Sequence, residues 1–200
     1  MKDTDSNVAE FCSPIAQRFI LNWLFPSRPR LTPPNLRWLL TEALSKLSKS
    51  EIQSCIPQPG SFPVEAAFQS LFLHAFIQCT PVGCRTIPEL SILFRDENGC
   101  QAKRVVGRVD FYLNNSLRWG VELLVNGNRI HKHLARFGPS GRYASLNVAD
   151  YLVIDLRGGP IAKVERFEKK ATVFFDIESF RFCYLLFGLE EEAVQIQLAD

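Results

Sequence analysis

Apolar residues recur at helical spacing in three places along the first eighty positions, and the pattern then changes to short alternating or solidly apolar runs. SPIAQRFILNWLF (13–25) predicts a helix with Ser13 as N-cap and Pro14 at its first position, ended by Pro26. PSRPRLTPP (26–34) is a stiff linker, and Thr32-Pro33-Pro34 opens a second helix that runs to about Leu47. Its core side is Leu36, Leu39, Leu40, Ala43, Leu44 and Leu47, with Trp38 on the flank. IPQPGSFP (56–63) is a second break. PVEAAFQSLFLHAFIQC (63–79) is apolar over most of a helical circumference, which predicts a well-buried helix with Glu65, Gln69 and Phe72 on one face.

A loop containing Pro81, Gly83 and Pro88 leads to a strand near 89–94, and Asp96-Glu97-Asn98-Gly99 is a hairpin turn signal. Strands follow over 103–113 and 118–125, separated by Asn114-Asn115, and Asn126-Gly127 ends the third. RIHKHLARF (129–137) reads as a short basic helix, and DYLVIDL (150–156) as a buried strand. Residues 171–187 are strand-like and aromatic, a core element rather than a platform for stacking bases, and Glu190-Glu191-Glu192 reads as a solvated C-terminal segment. From Pro63 onward the order is helix, three antiparallel-like strands, helix, strand, an α/β pattern. Residues 1–56 read as a helical extension packed on a domain over 57–200, with a small independent helical module as the alternative.

At 46% hydrophobic and 22% charged, the 200 residues suit one well-cored globular domain. The formal net charge of +2 says little until it is mapped. Between Gln101 and Arg142 there are eight basic residues and two acids, so the rest of the chain sums to −4. Such a stripe fits a polyanionic partner; a solvated basic helix face is the plainer alternative. Six cysteines show no CxxC spacing and no zinc-type Cys/His cluster, which fits idle thiols in a reducing compartment. MKDTDSNVAEF lacks the basic and apolar regions of a secretory signal, and the longest apolar run, Leu71 to Ile77, is too short for a bilayer. The expectation is an intracellular protein, with no membrane partner.

The two acids of the basic stripe are Asp110 in GRVDFYL (107–113) and Glu122 in RWGVELLV (118–125). A carboxylate in a buried strand needs pairing, hydrogen bonds or a metal. Strict alternation puts Arg108, Asp110 and Tyr112 on one face of the first strand and Arg118, Gly120, Glu122 and Leu124 on one face of the next. On neighbouring strands the two carboxylates could hold one hard cation, with Glu65 as a third acid. Gly120, beside Glu122, leaves room for a backbone or ligand to approach. The alternatives are ion pairs of Asp110 with Arg108 and Glu122 with Arg118, and an exposed first-turn acid at Glu65. His131 and His133, two apart on a helix, face different ways and make a poor metal pair.

GRVDFYL, WGVELLVNG, the HxxRF stretch of His133, Arg136 and Phe137, GRY (141–143) and DYLVIDLR (150–157) together resemble, in order, the nuclease-like C-terminal domain of Crinkler-type effectors. That domain belongs to the PD-(D/E)XK restriction-endonuclease-like superfamily, and the resemblance runs from about Pro63 to Arg157 and includes PVEAAFQSLF. It implies an αβββαβ core with a central mixed sheet flanked by helices, Asp110 and Glu122 as metal ligands, and Glu65 as the helix acid. The family's ExK lysine, which stabilises charge or orients water, is here Leu124, and Lys132 is the candidate replacement. Val125 and Ser70-Leu71 stand where the family often carries an arginine and further acids.

The resulting expectation is a nuclease-like protein that acts on or binds nucleic acid, DNA ahead of RNA, in the nucleus ahead of the cytoplasm. If active, it hydrolyses phosphodiesters with Mg2+ or Mn2+, using Asp110, Glu122, Lys132 and Glu65. Arg108, Arg129, His133, Arg136 and Arg142 are the candidate nucleic-acid contacts. The alternatives are a catalytically degenerate pseudo-nuclease serving as an effector or regulator, and a protein-interaction module in which the helices at 13–47 make the contact surface or a dimer arm.

Overall fold

The computed structural model describes residues 23–24, 28–58, 60–95, 102–114, 116–127 and 129–200, with the backbone alone for 91–95 and 102–107. The helix expected over 13–25 (apart from 23–24, which are helical) and the turn at 96–99 lie outside the described residues. Helix α1 spans Leu36–Lys46; its N-cap is Asn35, whose side chain accepts from the Trp38 N–H at 2.8 Å, rather than the Thr32-Pro33-Pro34 segment. All six residues expected on its core side are buried. A short helix α2, Lys49–Ser54, went unpredicted, although Ser48 and Glu51 have the spacing of a capping box and Ser48 does cap the Glu51 N–H.

Helix α3, Glu65–Cys79, buries Phe68, Leu71, Phe72, Ala75 and Phe76 against the sheet. Its C-terminal carbonyls would be left without partners. The Thr80 hydroxyl takes part of this end, donating to the Phe76 carbonyl at 2.7 Å, and Arg28 holds the loop that follows, donating to the carbonyls of Thr80 (2.9 Å), Pro81 (2.8 Å) and Cys84 (3.1 Å). Seven strands form one mixed sheet in sequence order: β1 Thr86–Arg95, β2 Ala102–Leu113, β3 Trp119–Val125, β4 Asp150–Gly158, β5 Lys170–Phe175, β6 Phe182–Phe187 and β7 Val194–Gln197. β3, β4 and β5 run parallel, and the other neighbours are antiparallel. Helix α4, Ile130–Arg136, lies in the crossover from β3 to β4, as a parallel connection requires.

The aromatic 171–187 stretch is two strands, because Asp176 turns the chain between them by accepting from the Ser179 hydroxyl and the Glu178 N–H. The acidic 190–192 segment leads into the unpredicted edge strand β7; Glu191 and Glu192 are exposed, whereas Glu190 pairs with Arg37 of α1.

Two apolar clusters cover the two sheet faces. The larger combines α1, α2 and α3 with Phe111, Val121, Leu123, Ile154, Val173 and Leu185. The smaller lies under α4 and contains Val109, Leu124, Ile130, Phe137, Tyr143 and Val153. Backbone bonds from Ala199 to Leu47 and from Lys49 to Ala199 tie the end of the chain to the α1–α2 junction. Among the described residues no helix is long and apolar enough to cross a membrane.

Because α1 shares its core with the sheet, Leu44→Ala should remove about 2–5 kcal/mol from the stability of the whole unit. Urea unfolding followed by tryptophan fluorescence and far-ultraviolet dichroism should give one coincident, shifted transition. Two separate transitions would show that α1 folds apart from the sheet.

Candidate functional site

Strand β2 pairs with β3 only through Phe111↔Val121, Tyr112↔Gly120 and Leu113↔Trp119. The next pair would be Asp110 and Glu122, and there the strands part. On the other side of β2 the register passes from Pro88↔Phe111 to Leu90↔Val109, and Glu89, opposite Asp110, takes a left-handed backbone with φ 48°. Strict alternation along β2 is broken at this level. Val109 packs in the smaller cluster, while Phe111 meets α3 with its ring 5.3 Å from that of Phe76. Asp110 also turns toward α3, so the single face expected for Arg108, Asp110 and Tyr112 does not form.

The gap is filled by side chains that replace missing ladder partners. Asp110 Oδ2 accepts from the Leu123 N–H at 2.7 Å, and Oδ1 accepts from Gln69 Nε2 on α3 at 3.0 Å. The Tyr143 hydroxyl lies 2.6 Å from the Arg108 carbonyl oxygen and 2.5 Å from Glu122 Oε1. Glu122 is only 1% exposed. Its Oε2 lies 2.7 Å from Arg136 Nη1 and 2.6 Å from His133 Nδ1, both on α4. The carboxylate is thus held by a cation, an imidazole and a phenol at once.

Tyr143 reaches this position because the preceding loop lies against the end of α4. A Cβ at Gly141 would fall 2.3 Å from the carbonyl oxygens of both Ala135 and Arg136, and the Tyr143 N–H donates to that Arg136 carbonyl at 2.8 Å. Gly120 plays the matching part on β3. A Cβ there would sit 2.5 Å from the ring of Phe137, which is stacked on Tyr151, so the approaching group is this ring.

The other expected residues are placed as follows. Glu65 begins α3, and its carboxyl is raised by desolvation and the Glu122 charge, against the lowering effect of His133 and Arg136. Lys132 is exposed on α4, one position from the inward-facing His133, and is not brought to the carboxylates. Leu124 is 2% exposed in the smaller apolar cluster. Arg108 pairs with Glu89 at 2.8 Å rather than with Asp110, and Arg118 precedes β3 on an exposed left-handed residue (φ 48°) rather than pairing with Glu122. Arg129 and Arg142 are exposed, whereas His133 and Arg136 turn inward to Glu122. His131 points elsewhere, to Glu165 at 3.1 Å, as the two-residue spacing predicts.

Gln69 and Tyr143 were not singled out from the sequence as site residues, and neither was a second buried acid, Asp155 on β4. Asp155 is fully buried between Arg157 Nε (3.0 Å) and Lys170 Nζ (3.1 Å), and its Oδ1 has no hydrogen-bond partner among the described residues. The sequence signal for Tyr143 was its place in the GRY motif (141–143), two residues after Gly141.

Two chemical consequences follow. Asp110, raised to about 7 by burial and by the Glu122 and Glu65 charges against the donors of Leu123 and Gln69, borders a cavity of about 250 Å3 lined also by Gln69, Ser70, Pro88 and Glu89. A carboxyl in this state can give or take a proton near neutrality. A divalent cation, by contrast, needs carboxylate oxygens that face an open position. Both Glu122 oxygens face donors, so the arrangement does not fit such an ion. Among the described residues no group of three or more His, Cys, Asp or Glu side chains is disposed to hold a metal.

The Asp110 carboxyl is ordinarily near 3.8, so between about 4 and 7 the folded chain holds a proton that the unfolded chain has lost. Its contribution to stability is complete below the lower value and is lost as pH rises through the higher one. The facing charges are Glu122 from β3, Glu65 from α3 and the Arg108-paired Glu89 from β1. Asp110→Asn removes the loss, since an amide can accept from Leu123 and donate to a reoriented Gln69. Thermal melts should find the variant equal to the parent near pH 4 and more stable near pH 8, by on the order of 2 kcal/mol. Parallel pH profiles would assign the titration elsewhere.

Comparison with protein-family models, curated proteins and solved structures found no significant match to this chain, so its functional reading rests on the geometry of these side chains.

Proposed function

We propose that this protein is a nuclease-like domain that binds nucleic acid, duplex DNA ahead of RNA, and has lost phosphodiester hydrolysis. The observation that carries this reading is the division of basic residues around Glu122. Arg136 neutralises the buried carboxylate and His133 contacts it, while the side chains of Arg129 and Lys132, on and beside the same helix, and of Arg142, next to Tyr143, are exposed. A phosphate backbone approaching this side meets cations and not an uncompensated acid. The order helix, three antiparallel strands, helix, parallel strand supports the restriction-endonuclease-like core. Leu124 in place of the ExK lysine, in an apolar cluster, supports the loss of chemistry, since an aliphatic side chain can neither orient water nor stabilise developing charge. On this reading the nucleus is the expected location, ahead of the cytoplasm.

Fluorescence anisotropy with a short duplex should show salt-sensitive binding that survives Asp110→Asn and Glu122→Gln. Neutralising Arg129, Lys132 and Arg142 together should weaken it at least tenfold and flatten the log–log salt slope by roughly one unit per charge removed. No binding by the parent at low salt would reject the proposal and leave the protein-interaction reading.

Metal-dependent hydrolysis is the second reading, favoured by one observation: Glu122 lies close enough to raise the carboxyls of both Glu65 and Asp110, and Glu65 also raises that of Asp110. It requires plasmid cleavage with Mn2+ that Asp110→Ala abolishes. The first reading expects intact plasmid with both proteins.

A further inference from the structure

The groups around Glu122 make up a complete charge balance, and that balance has a consequence for metals. We infer that the Arg136 guanidinium is a resident counter-ion in the position that a divalent cation would otherwise occupy, so that this chain carries its positive charge covalently. The inference rests on the nuclease-like reading only in naming a metal as the alternative occupant.

Three features support it. Arg136 is the permanent cation in contact with Glu122, at 2.7 Å, and that carboxylate is almost wholly removed from water. The remaining oxygen faces Tyr143, and His133 completes the set, so no ligand position on Glu122 is left open. Two further carboxyls, Glu65 and Asp110, are raised by the Glu122 charge, and Glu65 is lowered in turn by His133 and Arg136. A site with this many acids needs a cation, and the guanidinium is the one present. Arg136 is 28% exposed at its side chain, so the charge sits at the edge of the gap and not in a sealed core.

Removal of the guanidinium should leave a buried, uncompensated carboxylate and create a demand for a cation. Arg136→Gln is therefore expected to lower Tm in EDTA by roughly 6–20 °C. Millimolar Mn2+ should restore much of the loss, with one Mn2+ per chain seen by electron paramagnetic resonance, whereas K+ at equal ionic strength should not. The double variant Arg136→Gln with Glu122→Gln should be more stable in EDTA than Arg136→Gln and should take up no Mn2+. The parent protein should melt at the same temperature in EDTA and in Mn2+.

Three results would overturn the inference. One is stabilisation of the parent by Mn2+ that Glu122→Gln removes, because the site would then accept a metal beside the arginine. Another is an Arg136→Gln protein as stable as the parent. The third is an Arg136→Gln protein that neither folds nor binds in Mn2+, which would show that no metal can stand where the guanidinium does. The duplex-binding assay reads the surface groups Arg129, Lys132 and Arg142, so failure there and failure here are distinguishable.

Discussion

The parting of β2 from β3 at the level of Asp110 and Glu122 is the constraint on which the site depends. A sheet can open at one position only if the freed backbone groups find other partners. Here the Asp110 carboxylate takes the Leu123 N–H, and the Tyr143 hydroxyl comes within hydrogen-bond distance of the Arg108 carbonyl. Both substitutes are themselves committed elsewhere, to Gln69 of α3 and to Glu122. The opening is thus sealed by polar groups anchored to helices on opposite faces of the sheet. Across from Asp110, Glu89 has a left-handed backbone, and the Asp110 carboxylate meets Gln69 of α3.

Around this opening the two faces of the sheet solve different problems. The face under α1 and α3 is almost entirely apolar, with Phe68, Phe72, Phe76, Phe111 and Phe175 fully buried. Hydrophobic burial there supplies most of the driving force for folding. The opposite face carries the buried charges: Glu122 with Arg136 and His133, then Asp155 with Arg157 and Lys170. Such pairs are weak sources of stability, because desolvation offsets their attraction, yet losing one partner is costly. They fix geometry more than they add energy. Glu122 holds α4 to the sheet through two side chains one turn apart on the helix.

That division also explains which sequence signals were readable. Periodicity gave α1, α3 and the β1–β4 order, because those elements bury one continuous stripe or face and the spacing of apolar residues is set by backbone geometry alone. The α2 helix and β7 lacked such a stripe. α2 is six residues stabilised by a cap, and β7 is a short edge strand with one buried residue, Ile196, fixed by pairing with β6. The split of 171–187 depended on a turn made by the Asp176 side chain, which the aromatic run concealed.

At the candidate site, the sequence by itself determined that Asp110 and Glu122 are the two acids of a basic segment on adjacent strands, that His131 and His133 diverge, and that Leu124 is apolar. Local spacing is enough for each of these. It did not determine which cation meets Glu122. Arg118 and Arg136 are both available along the chain, and only the crossover of α4 over the sheet brings Arg136 to 2.7 Å while Arg118 stays outside β3. Nor could it give Asp110 its side, since strict alternation is a property of an unbroken strand and β2 leaves β3 at this level. Charge partners and strand irregularities are set by long-range contacts between segments. They become fixed only when those segments pack.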